Sequence, residues 1–164
     1  MPLIRLQTQI EAPIERVFDL ARSIDAHQAS TRGSGERAVA GRSSGLIGAG
    51  ERVTWEARHF GIKQRLAVRV TLCERPHHFA DEMISGAFSS MQHSHRFEEA
   101  GIGTLMTDEF RYSAPLGILG RIAEGLFLTS YLKNFLTKRA MALKEMAETD
   151  EWQRYLPDNS PGCL

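Results

Sequence analysis

Residues 92–117 read QHSHRFEEAGIGTLMTDEFRYSAPLG. Two alternating runs flank EAGIG at 99–103, so the segment reads as antiparallel strands at 89–98 and 104–112 joined by a hairpin loop. Side chains two apart in a strand project the same way, which sets Met91, His93, His95 and Phe97 on one face and Met106, Asp108, Phe110 and Tyr112 on another. SAPLG at 113–117 ends the sheet. Beyond it Ile118, Ile122, Leu126, Leu132, Phe135, Leu136 and Leu143 recur at helical spacing to about residue 148, opposite Lys133, Lys138, Arg139, Lys144, Glu145 and Glu148. Gly117, Gly120 and Gly125 loosen the start of this helix.

Upstream, the same alternation continues. Residues 51–60 set Val53, Trp55, Ala57 and His59 on one face, residues 63–74 do so with Leu66, Val68, Val70 and Leu72, and 78–84 make a further strand after Pro76. At the start, residues 3–11 alternate as a half-buried strand. Pro13 then opens a short helix that breaks near Ser23 and resumes through 25–29. Residues 31–50 are rich in Gly, Ser and Arg, with 36–40 as a short strand and GRSSGLIGAG as a loop. Residues 149–164, TDEWQRYLPDNSPGCL, read as a polar C-terminal tail.

This order describes one α+β domain over residues 1–148: two short helices after the first strand, and a curved antiparallel sheet of about six to seven strands wrapped around a long C-terminal helix. That helix is the only element long enough to cover the concave face. A bent sheet and a single rod pack less closely than two flat layers, so the space between them needs many large side chains or stays hollow. The chain has eight Phe, three Tyr and two Trp. That modest supply favours a hollow.

The chain has 164 residues, 42% hydrophobic, with 20 Lys+Arg against 20 Asp+Glu. At this length roughly 70% of the unfolded surface can be buried, enough for a core with a cavity. Zero net charge leaves no basic field to attract phosphates, so nucleic acid is excluded as an expected partner. The N-terminus lacks the apolar stretch of a signal peptide and no window reaches 18 uncharged apolar residues, which excludes stable membrane insertion. Cys73 and Cys163 are too few and too far apart for a disulfide framework or a zinc knuckle, and a reducing cytoplasm is the expected location. A monomer or homodimer is expected.

Several stretches together resemble the START and birch-pollen-allergen-like superfamily, called SRPBCC, in its polyketide cyclase/dehydrase branch. They are IEAPIERVFDLARSIDAH at 10–27, ERVTWEARHFG at 51–61, VTLCERPHHFADEMISGAF at 70–88, the hairpin quoted above and the terminal helix. The resemblance implies a helix-grip fold around a deep pocket for a lipid, polyketide, isoprenoid or similar hydrophobic small molecule. Its members range from carriers to cyclases and hydrolases, so it does not choose between binding and catalysis.

The expected pocket residues are Trp55, His59, Phe79, Met83, Met91, Phe110, Tyr112, Ile122, Leu126 and Phe127, since aromatic and methionine side chains make adaptable apolar walls. Residues 115–125 and the loop 41–50 are the expected gate. His93 and His95 stand opposite Asp108 across the hairpin. Two readings remain open: histidines that hydrogen-bond their strand neighbours, or a catalytic base oriented by the carboxylate in a cyclase, dehydratase or hydrolase. HxHxxxE, formed by His93, His95 and Glu99, also resembles half of a cupin metal motif, but no second half follows, and neither a metal nor another cofactor is expected. His77 and His78 point apart and receive no role. The glycine loop at 45–50 lacks the Lys-Ser/Thr of a phosphate loop, and no GxSxG, CxxC pair or HExxH occurs.

Overall fold

The computed structural model describes residues 1–115, 117–157 and 162–163, of which 121, 123 and 124 are described by backbone alone. The chain runs β1 (Leu3–Ile10), α1 (Ile14–Ala21), α2 (Ile24–Ser30), β2 (Arg37–Gly41), β3 (Arg52–His59), β4 (Ile62–Glu74), β5 (His78–Ser85), β6 (Ser90–Ala100), β7 (Gly103–Ser113), α3 (Gly117–Ala123), a π-turn at Glu124–Leu128 and α4 (Thr129–Glu148). The seven strands form one antiparallel sheet in the order β1-β7-β6-β5-β4-β3-β2. The element order, the meander and the helix-grip arrangement are those expected.

The core explains the arrangement. Ile14, Val17, Phe18 and Ala21 put the apolar face of α1 inward, where Phe18 meets Phe79 and Phe97 edge to face. Ser23 caps α2 by accepting the Ala26 amide, which turns the chain between the helices. Leu132, Leu136, Ala140, Leu143 and Ala147, spaced by three and four residues, bury one stripe of α4 over the sheet. Beneath α1, Asp19 is buried and takes Arg22 at 2.9 Å and Arg75 at 2.8 Å, so its charge is satisfied where water does not reach.

Four features depart from the sequence reading. In β4 the pairing with β5 slips between Val70 and Leu72, which leaves Thr71 as an extra residue; beyond it Cys73, rather than Leu72, packs against the core. The segment read as a polar tail is folded back at its start. Asp150–Arg154 forms a 3-10 turn, Leu156 is buried, and the Arg16 guanidinium lies 4.4 Å from the Trp152 ring.

The cysteine reading is corrected as well. Cys73 and Cys163 form a disulfide, with Cα atoms 5.6 Å apart. Distance along the chain concealed proximity in space, because the strand bulge turns Cys73 inward and the chain beyond α4 returns to meet it. Such bonds persist in oxidising surroundings, so the cysteines no longer support a reducing cytoplasm. No described helix is long and apolar enough to cross a membrane.

Finally, the terminal helix is not one uninterrupted rod. The π-turn at Glu124–Leu128 puts more residues into one turn than an α-helix holds and rotates what precedes it relative to α4. A single periodicity from Ile118 to Leu143 therefore fails across it.

Candidate functional site

Between the concave sheet and α4 lies a cavity of about 610 Å³. This is within the range of small-molecule sites, roughly 300–1,000 Å³. Trp55, Val68, Val70 and Met91 form its sheet wall and Leu132, Phe135 and Leu136 its helix wall. It reaches the surface where Phe60, Leu119 and Phe127 line it, each more than half exposed.

The mouth is built from three turns. Phe60 and Gly61 sit between β3 and β4, both with positive φ, at 54° and 75°. A two-residue hairpin needs that conformation, which a phenylalanine adopts only at a cost of about 1–2 kcal/mol. The Phe60 ring lies 4.4 Å from Tyr131 and 5.7 Å from Phe127, bringing the hairpin against α4 and the π-turn. Ala87 and Phe88, between β5 and β6, close a second side, and Pro115 with Gly120 a third. Gly120 has no substitute here, since a Cβ would stand 2.0 Å from the Pro115 carbonyl oxygen.

Of the residues expected at the pocket, Trp55, His59, Phe79, Met91, Phe110 and Phe127 stand on its wall, and His93 does too. Four do not. Ile122 and Leu126, at 52% and 75% exposure, face outward because the π-turn rotates the first helical segment away from α4's inner stripe. Tyr112 is wholly buried but lies outside the wall, bonded to Thr129 at 2.7 Å. Met83 is half-buried against the core beside Val68 and does not itself line the cavity. Of the two segments expected as a gate, the first places Pro115, Leu119 and Gly120 on the cavity wall; in the second, loop 41–50, Leu46 and Ile47 are buried, Ile47 on the cavity wall, and Ile24 N–H donates to Gly45 O at 2.9 Å.

The polar groups of the interior fall into two clusters. In the first, His27 reaches in from α2, stacks on Trp55 with ring centroids 3.9 Å apart, and faces Glu36 at 3.2 Å. Burial, with Arg139 nearby, pushes the His27 imidazole below its ordinary value. Burial opposes ionisation of Glu36, but His27 and Arg139 hold its carboxyl below the usual range. Near them His59 Nδ1 bonds the Tyr131 hydroxyl at 2.8 Å, and burial lowers its imidazole too.

The second cluster stands on three adjacent strands. β6–β7 pairing sets His95 opposite Asp108, and β5–β6 pairing sets Asp81 opposite His93. Asp108 Oδ1 is hydrogen-bonded by His95 Nδ1 and lies 3.7 Å from His93 Nε2. The two imidazoles are 4.0 Å apart between centroids. Burial and then the neighbouring His95 push His93 down to about 3, so it is neutral near pH 7. Burial opposes the charge on Asp108, but His95 and His93 hold its carboxyl well below the usual range. Asp81 has less compensation, and burial raises its carboxyl to about 6.

His93 and Asp81 border the main cavity, whereas His95 and Asp108 stand behind them around a void of about 10 Å³, space for one water at most. The hairpin pairing is the one expected, but access to it is not. Glu99 is exposed at the end of β6, so the cupin-like set His93, His95 and Glu99 is not assembled. Asp81 was missed although Phe79, two residues earlier on the same strand face, was recognised as a wall residue. His27, Glu36, Tyr131 and Arg139 were missed because only tertiary folding brings α2, the start of β2 and α4 together.

The His27 site makes stability pH-dependent. The folded chain takes up this proton less readily than the unfolded one, whose imidazole titrates near 6.5, so His27 has no effect well above that pH and opposes folding below it. The loss grows by at most about 1.4 kcal/mol per pH unit. In urea titrations, His27→Gln should lose less stability than wild type on acidification from about pH 7.5 to about pH 5. Equal slopes would place the acid sensitivity elsewhere.

A family model described as polyketide cyclase/dehydrase and lipid transport matches residues 1–148. The chain belongs to that family. Among solved structures, the Thermus thermophilus protein TTHA0849 is similar at TM-score 0.74 and 21% identity, covering 89% of this chain and 97% of that one. Protein Ms6760 of Mycobacterium smegmatis aligns at TM-score 0.66 and 15% identity over 88% and 89%. The ginseng major latex-like protein 151 of Panax ginseng does so at 0.64 and 18% over 90% and 98%. At such identities these likenesses establish the fold alone. No curated protein matches the chain.

Proposed function

We propose that this family member binds one hydrophobic small molecule of the lipid, polyketide or isoprenoid class between the sheet and α4. The cavity carries the reading: its volume suits such a molecule, its wall is mainly apolar, and its polar groups gather at few places. Each Å² of apolar ligand surface removed from water contributes roughly 25 cal/mol toward affinity. Arg139, His27 and Asp81 offer orientation to a carboxyl, hydroxyl or carbonyl. Entry proceeds past Phe60, Leu119 and Phe127 at the rim.

A fluorescent apolar probe, anilinonaphthalene sulfonate, tests this reading, with farnesol, palmitate and an anthraquinone as competitors. One probe should bind per chain, and at least one competitor should displace it with one-to-one stoichiometry. Native mass spectrometry of protein from its own source should show a co-purifying apolar compound. A folded protein that binds no probe and carries no such compound would refute the proposal.

An enzymatic reading with His93 or His95 as base fits less well. The pair His95 and Asp108 stands behind the wall, and His93, which reaches the cavity, is pushed toward a weakly basic imidazole.

A further inference from the structure

We propose that Asp81 and His93 on the cavity wall, with His95 behind them, form a binding site for a divalent first-row transition metal ion. The inference goes beyond ligand binding and stands independently of it.

One ligand atom from each of the three residues can be chosen such that all lie within 4.8 Å of one another. Two imidazoles and a carboxylate are the donor set that zinc, iron(II), cobalt(II) and manganese(II) accept, whereas magnesium and calcium favour oxygen alone. The residues come from neighbouring strands with fixed pairing, Asp81 opposite His93 on β5 and β6, so the set is held by the sheet and not by a loop.

The histidines also have nitrogen atoms without a hydrogen bond, although His93 Nε2 stands 3.7 Å from Asp108 Oδ1. His93 and His95 are 6% and 3% exposed, and Nε2 of each is buried with no hydrogen bond. A buried polar atom left unpaired costs about 1–3 kcal/mol, so a role for these two requires explanation. The bond from His95 Nδ1 to Asp108 supplies one: with the proton on Nδ1, Nε2 presents its lone pair. A carboxylate orienting an imidazole from behind is how metal-binding histidines are commonly held.

Charge points the same way. Glu36 and Asp81 on the cavity wall and Asp108 behind it carry three carboxylates. Arg22 and Arg65 are taken up by Asp19 and Glu56, which leaves Arg139, among the described residues of the wall, as the cation facing the interior groups. Three carboxylates and two imidazoles around one guanidinium make surroundings rich in donor atoms, which suit a divalent cation. Asp81 and His93 border the cavity, so a bound ion would stand beside an apolar ligand and offer a Lewis acid to its oxygen atoms.

The test uses the full chain without an affinity tag, stripped by chelation and titrated with Zn²⁺ or Co²⁺ alone. Calorimetry should give one equivalent per chain. Asp81→Asn and His93→Ala should each weaken binding at least about tenfold, and Asp108→Asn, acting through His95, by about 10–100-fold. Exposed His77, outside the cavity, supplies the control: His77→Ala should bind as wild type does. In the unaltered protein, where misfolding of a variant plays no part, Zn²⁺ should shift the ring resonances of His93 and His95 and leave exposed His77 in place. Failure of the folded wild type to bind either ion stoichiometrically, or binding that leaves those two rings unshifted, would overturn the assignment. Probe binding in the cavity is read separately, so loss of one does not imply loss of the other.

Discussion

Val68→Trp combined with Leu132→Trp should lower the affinity for anilinonaphthalene sulfonate at least about 100-fold, equivalent to about 2.7 kcal/mol, while the protein stays folded. One substitution fills the cavity from the sheet wall and the other from the helix wall. Adding bulk to a packed core usually costs about 1–3 kcal/mol, because neighbours must leave their preferred rotamers. Here the added rings enter empty space, so thermal stability should change little. The contrasting substitution is Leu126→Trp. Leu126 is 75% exposed, and its replacement should leave probe affinity as it is. Fluorescence titration with circular dichroism decides the matter: retained affinity in the folded double variant would place the ligand outside this cavity.

Breaking the disulfide should have the largest effect on stability. The bond joins residues 90 positions apart. Closing a loop of that size restricts the unfolded chain by about 4–5 kcal/mol in the chain-entropy treatment. Cys163→Ser should therefore lower the thermal midpoint by roughly 10–20 °C. Reductant should reproduce that drop in the wild type and do nothing further to the variant. The bond holds the chain beyond α4 against β4, which restrains the end of the helix nearest the tail. Equal midpoints with and without reductant would show that the bond does not form or that the reduced chain is equally stable. The free-thiol count separates those two cases.

How far the sequence could be read depended on what sets each feature. Strand faces were legible where pairing runs without interruption. The short hairpin between β6 and β7 fixed the register, so Asp108 could be placed opposite the histidines from spacing alone. The hollow was legible too, from the mismatch between a bent sheet and a single helix. What was not legible arises from single-residue irregularities that composition does not mark. Thr71 bulges β4 and changes which side chain of 72 and 73 turns inward. The π-turn does the same for the helix, and carried Ile122 and Leu126 away from the wall. The cluster His27–Glu36 is illegible for another reason: its members belong to different elements, with no local spacing to relate them.

The first strand pairs with the last, Leu3 opposite Arg111 and Ile10 opposite Thr104. During synthesis β1 therefore emerges with no neighbour to join, because its partner β7 is made only about a hundred residues later. Long-range pairing of this kind forms slowly, since the loop must close before any contact rewards it. The nascent N-terminus thus waits as an unpaired strand, and its joining to β7 is a late step, after the consecutive strands β2 to β6 have been made.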